Sequence, residues 1–405
     1  MKIIIIGAGV VGLSTALKAI EEGHDVTLID KNNCPADETS AQNGAQLSYS
    51  HAISISNLAS FLNLFKALFL KDQTLSIKLK EFLRSISWFV KIYLKKFFNK
   101  KSYLAAYYNF AKLSKDEFAY FKKLLPNLEI NNSGSIHLFH KKSSFTKFQK
   151  IIKKQDVFKY DIVNQNAKKL KNISKKIYKA IYFSCDQSCD TKNFAKLTLE
   201  YLKNKKNFRF INNCEIENFI INNNIINAVV TSKKQEINAD HFILASGMNS
   251  SKIFKKLNFN SPLVAVKGYS INLYDVNIDY SLIDHDKKMV YTNLGKKIRV
   301  AGLYDFHGLT KFISPIRGMV FNKVILKKFN KNSKKEKLWI GIRNATSDGF
   351  PAIGRSKKIK NLSYNIGHAN LGWTLSAASA KIIIDGLNDE FNHNFEMIKA
   401  SRFNI

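Results

Sequence analysis

The sequence is short of cysteine and of acid. Four cysteines occur in 405 residues (Cys34, Cys185, Cys189 and Cys214), and they fit no zinc spacing. Cys185 and Cys189 are separated by three residues, which is not a redox CxxC pair. Reduced thiols in a cytoplasmic protein are the simplest account. No Ser-His-Asp or metal-ligand constellation is legible, so the expectation is no metal. No signal peptide is visible, since Met1 runs straight into a β-branched segment. No stretch is long and apolar enough to span a bilayer: the charge-free run from Thr39 to Phe65 is full of Ser, Asn and Gln. No internal repeat is visible.

The 31 acidic residues face 64 basic ones, for a net charge of +33. A basic surface attracts anionic lipid or nucleic acid. The lysines, however, are scattered from residue 66 to the C-terminus among frequent asparagines, as compositional drift produces. Peripheral attraction to an anionic membrane is then a by-product. No RNA-binding motif accompanies the charge, and no nucleic acid is expected as a partner.

What is present is concentrated at the start. Lys2 to Ile6 reads as a buried parallel strand, broken by Gly7-Ala8-Gly9-Val10-Val11-Gly12 and followed by a helix. In this pattern Gly7 makes the turn, Gly9 admits a pyrophosphate and Gly12 brings helix and strand together. The helix start directs free N–H groups at phosphate. Asp25 to Asp30 reads as the second strand, ending in a carboxylate placed for a ribose. A βαβ dinucleotide site is the reading. The long polar loop that follows carries Thr39, Ser40, Asn43 and Gly44, small residues suited to ligand contact.

Residues 58 to 125 read as helical, with Phe82, Ile86, Phe89, Tyr93 and Phe97 on one face. They read as part of a helix-covered substrate domain, or alternatively as a basic aromatic stretch lying on a membrane. Ser135 to His140 reads as a strand, and Asp190 to Leu202 as a helix capped by Asp190 or Thr191. A meander follows, with a hairpin turn at Asn222-Asn223-Asn224. A buried strand from Asp240 then returns to Gly247. Three further strands begin at Leu263, Lys288 and Ile298. Residues 315 to 336 read as a basic helix, and a last helix begins near Leu375.

These pieces resemble the FAD-dependent D-amino-acid dehydrogenases of the glycine, sarcosine and D-amino-acid oxidase superfamily. The resemblance rests on Gly7 to Gly12, Glu38-Thr39-Ser40-Ala41, Lys267-Gly268-Tyr269-Ser270, Arg299-Val300-Ala301-Gly302, Gly341-Ile342-Arg343, Asp348-Gly349-Phe350-Pro351 and Gly367 to Thr374. It implies an α/β (α+β overall) protein: an FAD-binding Rossmann-like domain with a β-meander, plus an antiparallel-sheet substrate domain with helices. The corresponding division is 1–57, 186–260 and 337–405 for the FAD-binding domain, with 58–185 and 261–336 for the substrate domain.

By this resemblance FAD is bound noncovalently, Arg343 pairs with the substrate carboxylate, and Tyr269 lines the pocket. Gly367, His368, Gly372, Trp373 and Thr374 hold the flavin, with His368 structural or flavin-contacting rather than a base. Lys31, Ile216, Gly247 and Gly341 are further cofactor candidates. The implied reaction is oxidative deamination of D-amino acids to 2-oxo acids and ammonia, by hydride transfer from the α carbon to flavin N5. Electrons pass to a quinone-type acceptor at the cytoplasmic face of the inner membrane. The alternatives are a sarcosine- or glycine-oxidase-like enzyme using O2 and a nicotinamide-dependent dehydrogenase. The chain departs from the family pattern at Asn344, where Pro usually follows the arginine and would fix φ, and at Gln187-Ser188-Cys189, in place of a usual Glu-Thr-Gly.

Overall fold

Four successive isoleucines are buried on both faces in β1 (Lys2–Ile6), the condition that a central parallel strand meets. In the computed structural model, which describes residues 1–51, 74–91, 100–154, 157–164, 177–276, 278–326, 334–388 and 393–405, β1 lies between two parallel neighbours. One is β2 (Asp25–Ile29), reached through helix α1 (Val10–Glu21); the other is the returning strand His241–Leu244. Leu362–Ile366 and Ala352–Arg355 extend this six-stranded sheet on one side, and Phe208–Ile211 closes the other. Only Ala352–Arg355 runs antiparallel. The meander is a separate three-stranded sheet, turned through Asn223 and Asn224 at φ +50° and +61°. Positive φ at both turn positions is what a twisted two-residue hairpin requires, and asparagine tolerates it.

The second sheet has nine strands. Its longest strand is Leu263–Leu273, flanked antiparallel by Ile298–Phe306 and Trp339–Thr346. Ser281–Asp284 joins the half built from Met289–Asn293 to the half built from Ser135–Phe139 and Lys179–Phe183. Two boundaries drawn from sequence move. Trp339–Thr346, placed in the nucleotide domain, is an edge strand of this second sheet, because its backbone pairs with Leu263–Ser270 over eight residues. The helix Lys100–Leu124, placed in the substrate domain, packs Tyr107, Phe110, Phe118 and Phe121 into the core shared by α1 and the last helix, Gly372–Asp385.

The expected aromatic face holds only in part. Phe82 and Phe89 lie 5.4 Å apart, but the helix Leu79–Arg84 ends at Ser85 before a helical turn resumes at Ile86. Ile86 is 47% exposed, while Trp88 and Phe89 pack on Phe306. Tyr93 and Phe97 lie outside the described residues. The basic helix spans Pro315–Leu326 rather than 315–336, and Lys335 is bridged to Leu273 in extended form. Residues 327–333 lie outside the described residues. Asp190 caps the helix Thr191–Lys203 by accepting from the Lys192 N–H at 2.9 Å. Among the described residues, no helix is long and apolar enough to cross a membrane.

Candidate active site

Both sheets contribute walls to one cavity of about 730 Å³, running from the end of β2 to Arg343. At the β1–α1 turn, Gly7 has φ +110°, and a Cβ there would fall 2.6 Å from the Ser246 Cα. A Cβ on Gly12 would fall 1.8 Å from the Gly7 carbonyl oxygen, so the helix can start this close only with glycine. Gly9 is the N-cap of α1 and supplies no side-chain cap. The helix therefore presents its positive end to the cavity, although Ser40 Oγ accepts from the Val10 N–H at 3.2 Å. Asp30 accepts the N–H groups of Ala8 and Asn32 at 2.6 and 2.8 Å. Burial raises its carboxyl's pKa, against the pull of those two backbone donors.

The loop after β2 is tied down at many points. Lys31 and Lys311 both reach Glu38 at 2.8 Å, across the two halves of the site. Thr39 donates to the Ile342 carbonyl at 2.7 Å, and Thr191 to the Ser40 carbonyl at 2.6 Å. Asn43 Oδ1 accepts from the Ala45 N–H at 2.8 Å, which holds Ala45 at φ +55°. Thr374 accepts from the Ser48 N–H at 3.1 Å. The helix Gly372–Asp385 has no side-chain cap either, so a second positive helix end faces the cavity.

The far end is built on Leu263–Leu273 and its two neighbours. Gly268 stands opposite Gly341, and a Cβ on Gly268 would fall 2.3 Å from Arg343 Nη2. The missing side chain is what lets the guanidinium lie across the strand. Tyr304 stacks on it at 4.6 Å, and Arg343 Nη1 donates to the Leu303 carbonyl at 3.0 Å. That carbonyl is offered by a bulge: Leu303 has φ +56°, and the pairing shifts register between Lys267 and Tyr269. Burial lowers the pKa of Arg343, with Tyr304 and Asp305 opposing. Nη1 to Leu303 is its one hydrogen bond among the described residues, so the rest of the fork faces the cavity.

The expected residues divide clearly. Gly7, Gly9, Val10, Val11, Asp30 and Lys31 line the nucleotide end; Thr39, Ser40, Asn43, Ile216 and Gly247 line its flanks. Gly341 and Arg343 line the other end, and His368, Gly372, Trp373 and Thr374 also line the cavity, Gly372 beside Val11. Ala8, Gly12 and Gly367 are not wall residues. Ala8 is fully buried with its N–H given to Asp30, Gly12 lets backbone pack against backbone, and Gly367 takes φ +84° against the Thr346 side chain. Tyr269 touches the cavity, but its hydroxyl is committed to Asp305 at 2.6 Å, whose carboxylate also takes a bidentate Arg317. Burial and that carboxylate hold its pKa well above the usual range. Trp373 is mainly a core anchor, packed against Phe118 and Phe194.

His368 is held by Ser379 at 2.8 Å, and Ser379 itself donates to the Leu375 carbonyl. Burial pushes the imidazole's pKa down to about 3, so it stays neutral. Asn344 is not loosened by the loss of proline. It pairs in the sheet with Ala265 and accepts the Gly367 N–H at 2.5 Å, tying the Gly367–Ala369 turn to Arg343. Sequence reading missed three histidines, His51, His137 and His285, which the fold gathers beside the cavity. Their separation in sequence carries no motif.

FAD fits these residues. The glycine turn and the uncapped helix ends suit a diphosphate. Gln42 Oε1, Asn365 Oδ1 and Asn370 Oδ1 belong to cavity-lining residues and are buried without a partner among the described residues, as ligand-binding atoms are. A parallel sheet carrying this turn, opposed by a second sheet with an arginine in its wall, defines a dinucleotide-dependent enzyme of two-sheet architecture. The FAD dependent oxidoreductase (DAO) family profile matches residues 2–385, and the chain belongs to that family. Among curated relatives it is 28% identical over 406 residues to a D-amino acid dehydrogenase of Vibrio atlanticus, covering 95% of each chain. It is 27% identical over 407 residues to one of Rhizobium rhizogenes, again covering 95% of each. In fold it is similar to an L-proline dehydrogenase from P. horikoshii, with TM-score 0.76, 16% identity, and 99% and 97% of the two chains covered. A glycine oxidase from Bacillus cereus superposes with TM-score 0.75 at 16% identity, covering 98% and 97%. The protein is an FAD-dependent oxidoreductase.

Proposed function

We propose that the enzyme oxidises D-amino acids to 2-oxo acids and ammonia, with Arg343 holding the substrate carboxylate. The observation that carries this is the half-free guanidinium in the cavity wall, stacked on Tyr304 and seated over Gly268. A planar fork matches a carboxylate bidentately, and fixing that group orients the α carbon. The names of the curated relatives support the D-amino-acid class. FAD, when bound, supplies the acceptor for the hydride leaving the α carbon. The chain's own contribution is to hold and orient. His368 stays neutral, and the Tyr269 hydroxyl is committed to Asp305, so neither is assigned proton transfer. The imino acid released hydrolyses in water.

The electrons are proposed to pass to a quinone-type acceptor at an anionic membrane surface. Leu79, Leu83, Ile86 and Val90 are 47–62% exposed, and Leu309, Phe312, Ile316 and Met319 are 55–70% exposed. The two stretches adjoin, because the Lys78 N–H donates to the Phe306 carbonyl at 3.2 Å. Lys78, Lys80, Lys91 and Lys311 are exposed among them. An apolar face rimmed by lysine suits the headgroup boundary of an anionic bilayer. Phe312→Asp should reduce sedimentation with phosphatidylglycerol vesicles while leaving soluble-dye activity intact; equal sedimentation would remove this face from the proposal.

The substrate class is tested by the visible spectrum of the yellow enzyme under anaerobic D-alanine or L-alanine. Bleaching by the D isomer alone supports it, and bleaching by sarcosine or glycine alone overturns it. Stoichiometric peroxide in air would replace the quinone acceptor with O2.

A further inference from the structure

His51, His137 and His285 are the one group of potential metal ligands gathered among the described residues, with a ring nitrogen of each within 4.8 Å of the others. They come from three places: the turn Tyr49–His51, the strand Ser135–Phe139 and the residue after Ser281–Asp284. We infer that they form a site for a divalent transition metal of the zinc class, with one coordination position open to the cavity.

Four observations carry the inference. The ring centres are 5.0 Å apart for His51–His285 and His137–His285, and 5.7 Å for His51–His137. A tetrahedral ion with nitrogens at about 2.0–2.1 Å sets its imidazole rings about 5 Å apart. His137 has an oriented second nitrogen: Ser50 Oγ donates to Asp186 Oδ2 at 2.6 Å, so it accepts from His137 Nε2–H at 3.1 Å. Nδ1 of His137 is therefore bare and points at His285 Nε2, 3.0 Å away. A hydrogen-bonded group behind a ligand histidine is how metal sites fix tautomer and ring angle, and here Ser50 is that group, itself held by the Asp186 carboxylate, which Ser135 also bonds and which lies 3.6 Å from His137 Nε2.

The third observation is that His51 Nδ1 is buried with no hydrogen-bond partner among the described residues. The fourth is the apolar shell: Phe139 stacks on His285 at 4.4 Å, Phe148 lies 4.6 Å from it, and Phe183 lies 4.8 Å from His137. Without metal, His285 donates its Nε2 proton to His137. With metal bound, that proton moves to the other nitrogen of the His285 ring, both facing nitrogens become ligands, and no net proton is released. His51 and His285 line the cavity, which leaves the fourth position accessible to water or a donor group of a substrate.

The test uses FAD-loaded enzyme stripped with chelator, incubated with Zn²⁺, dialysed and assayed for metal. One zinc per chain is expected in the wild type, and less than a tenth of that in His51→Ala and His285→Ala at unchanged flavin content. Asp186→Asn should weaken zinc binding by about 10- to 100-fold. Cobalt titration of the wild type needs no variant: tetrahedral sites give intense absorption to the red of the flavin bands. Weak octahedral cobalt bands only, or wild-type zinc no higher than in the double variant His51→Ala/His285→Ala, would overturn the site.

Discussion

Arg299 and Arg343 stand on the two strands that flank Leu263–Leu273, and they are used in opposite ways. Arg299 is 1% exposed and fully engaged: Nε donates to Asn272 at 2.9 Å, Nη2 to Asp190 at 3.2 Å and Nη1 to the Asn43 carbonyl at 3.4 Å. It joins the second sheet, the cap of Thr191–Lys203 and the flavin-side loop at one point. Among the described residues Arg343 makes a single hydrogen bond, and it otherwise meets an aromatic ring, the Gly268 backbone and the cavity. An arginine bonded through all three nitrogens holds a structure together, whereas one whose fork is mostly unbonded is available to a ligand. The difference separates latch from site without reference to any relative.

The largest effect expected from breaking this contrast is on stability. Arg299→Ala leaves Asp190 half-buried without its main partner and should cost about 3–5 kcal/mol, read from denaturant unfolding of the FAD-loaded protein. Lys297, 3.1 Å from Asp190, sets the lower end of that range. Arg343→Ala should do the reverse, unfolding nearly like wild type while losing about 2–4 kcal/mol in kcat/KM, mostly through KM. Equal stability losses in the two variants would dissolve the distinction. Gly268→Ala sharpens it, because the added Cβ must push the Arg343 guanidinium aside. A fall in kcat/KM of about tenfold, or ~1.4 kcal/mol, is expected with flavin still bound.

The smallest effect is in pH. Burial alone would raise the carboxyl pKa of Asp190, but Arg299 and Lys297 hold it below the ordinary value of 3.8. A depressed folded-state value gives stability that is present above pH 3.8 and is lost as pH falls through the folded value. Asp190→Asn should flatten that acid limb, whereas no acid limb is expected from Arg343. Unfolding curves at pH 6 and at successive steps below pH 4 measure the difference.

The parts of the site that were legible in the sequence are those that backbone geometry imposes locally. A turn that must approach a phosphate needs glycine at fixed spacing, and the strand, helix and acid around it stand within thirty residues. The Asn223–Asn224 turn was readable for the same reason, since few residues accept its φ. What escaped depends on which sheet a strand joins. Trp339–Thr346 has the apolar character of either sheet, and only its pairing with Leu263–Ser270 decides. The bulge at Leu303 that offers a carbonyl to Arg343 leaves no mark in composition, nor does Asn344 announce that it will bind Gly367. The histidine trio lay furthest out of reach, because a turn end, the middle of one strand and the end of another had to converge before it existed.

The most direct measurement compares D-alanine with its carboxamide, which keeps the reacting α carbon but removes the charge. Flavin reduction rates in anaerobic stopped flow would be taken for both substrates with wild type and Arg343→Ala. The wild type should prefer the carboxylate by at least tenfold, and the variant should lose that preference while still reducing its flavin with the amide. A variant that keeps the wild-type preference would show that Arg343 does not hold the substrate.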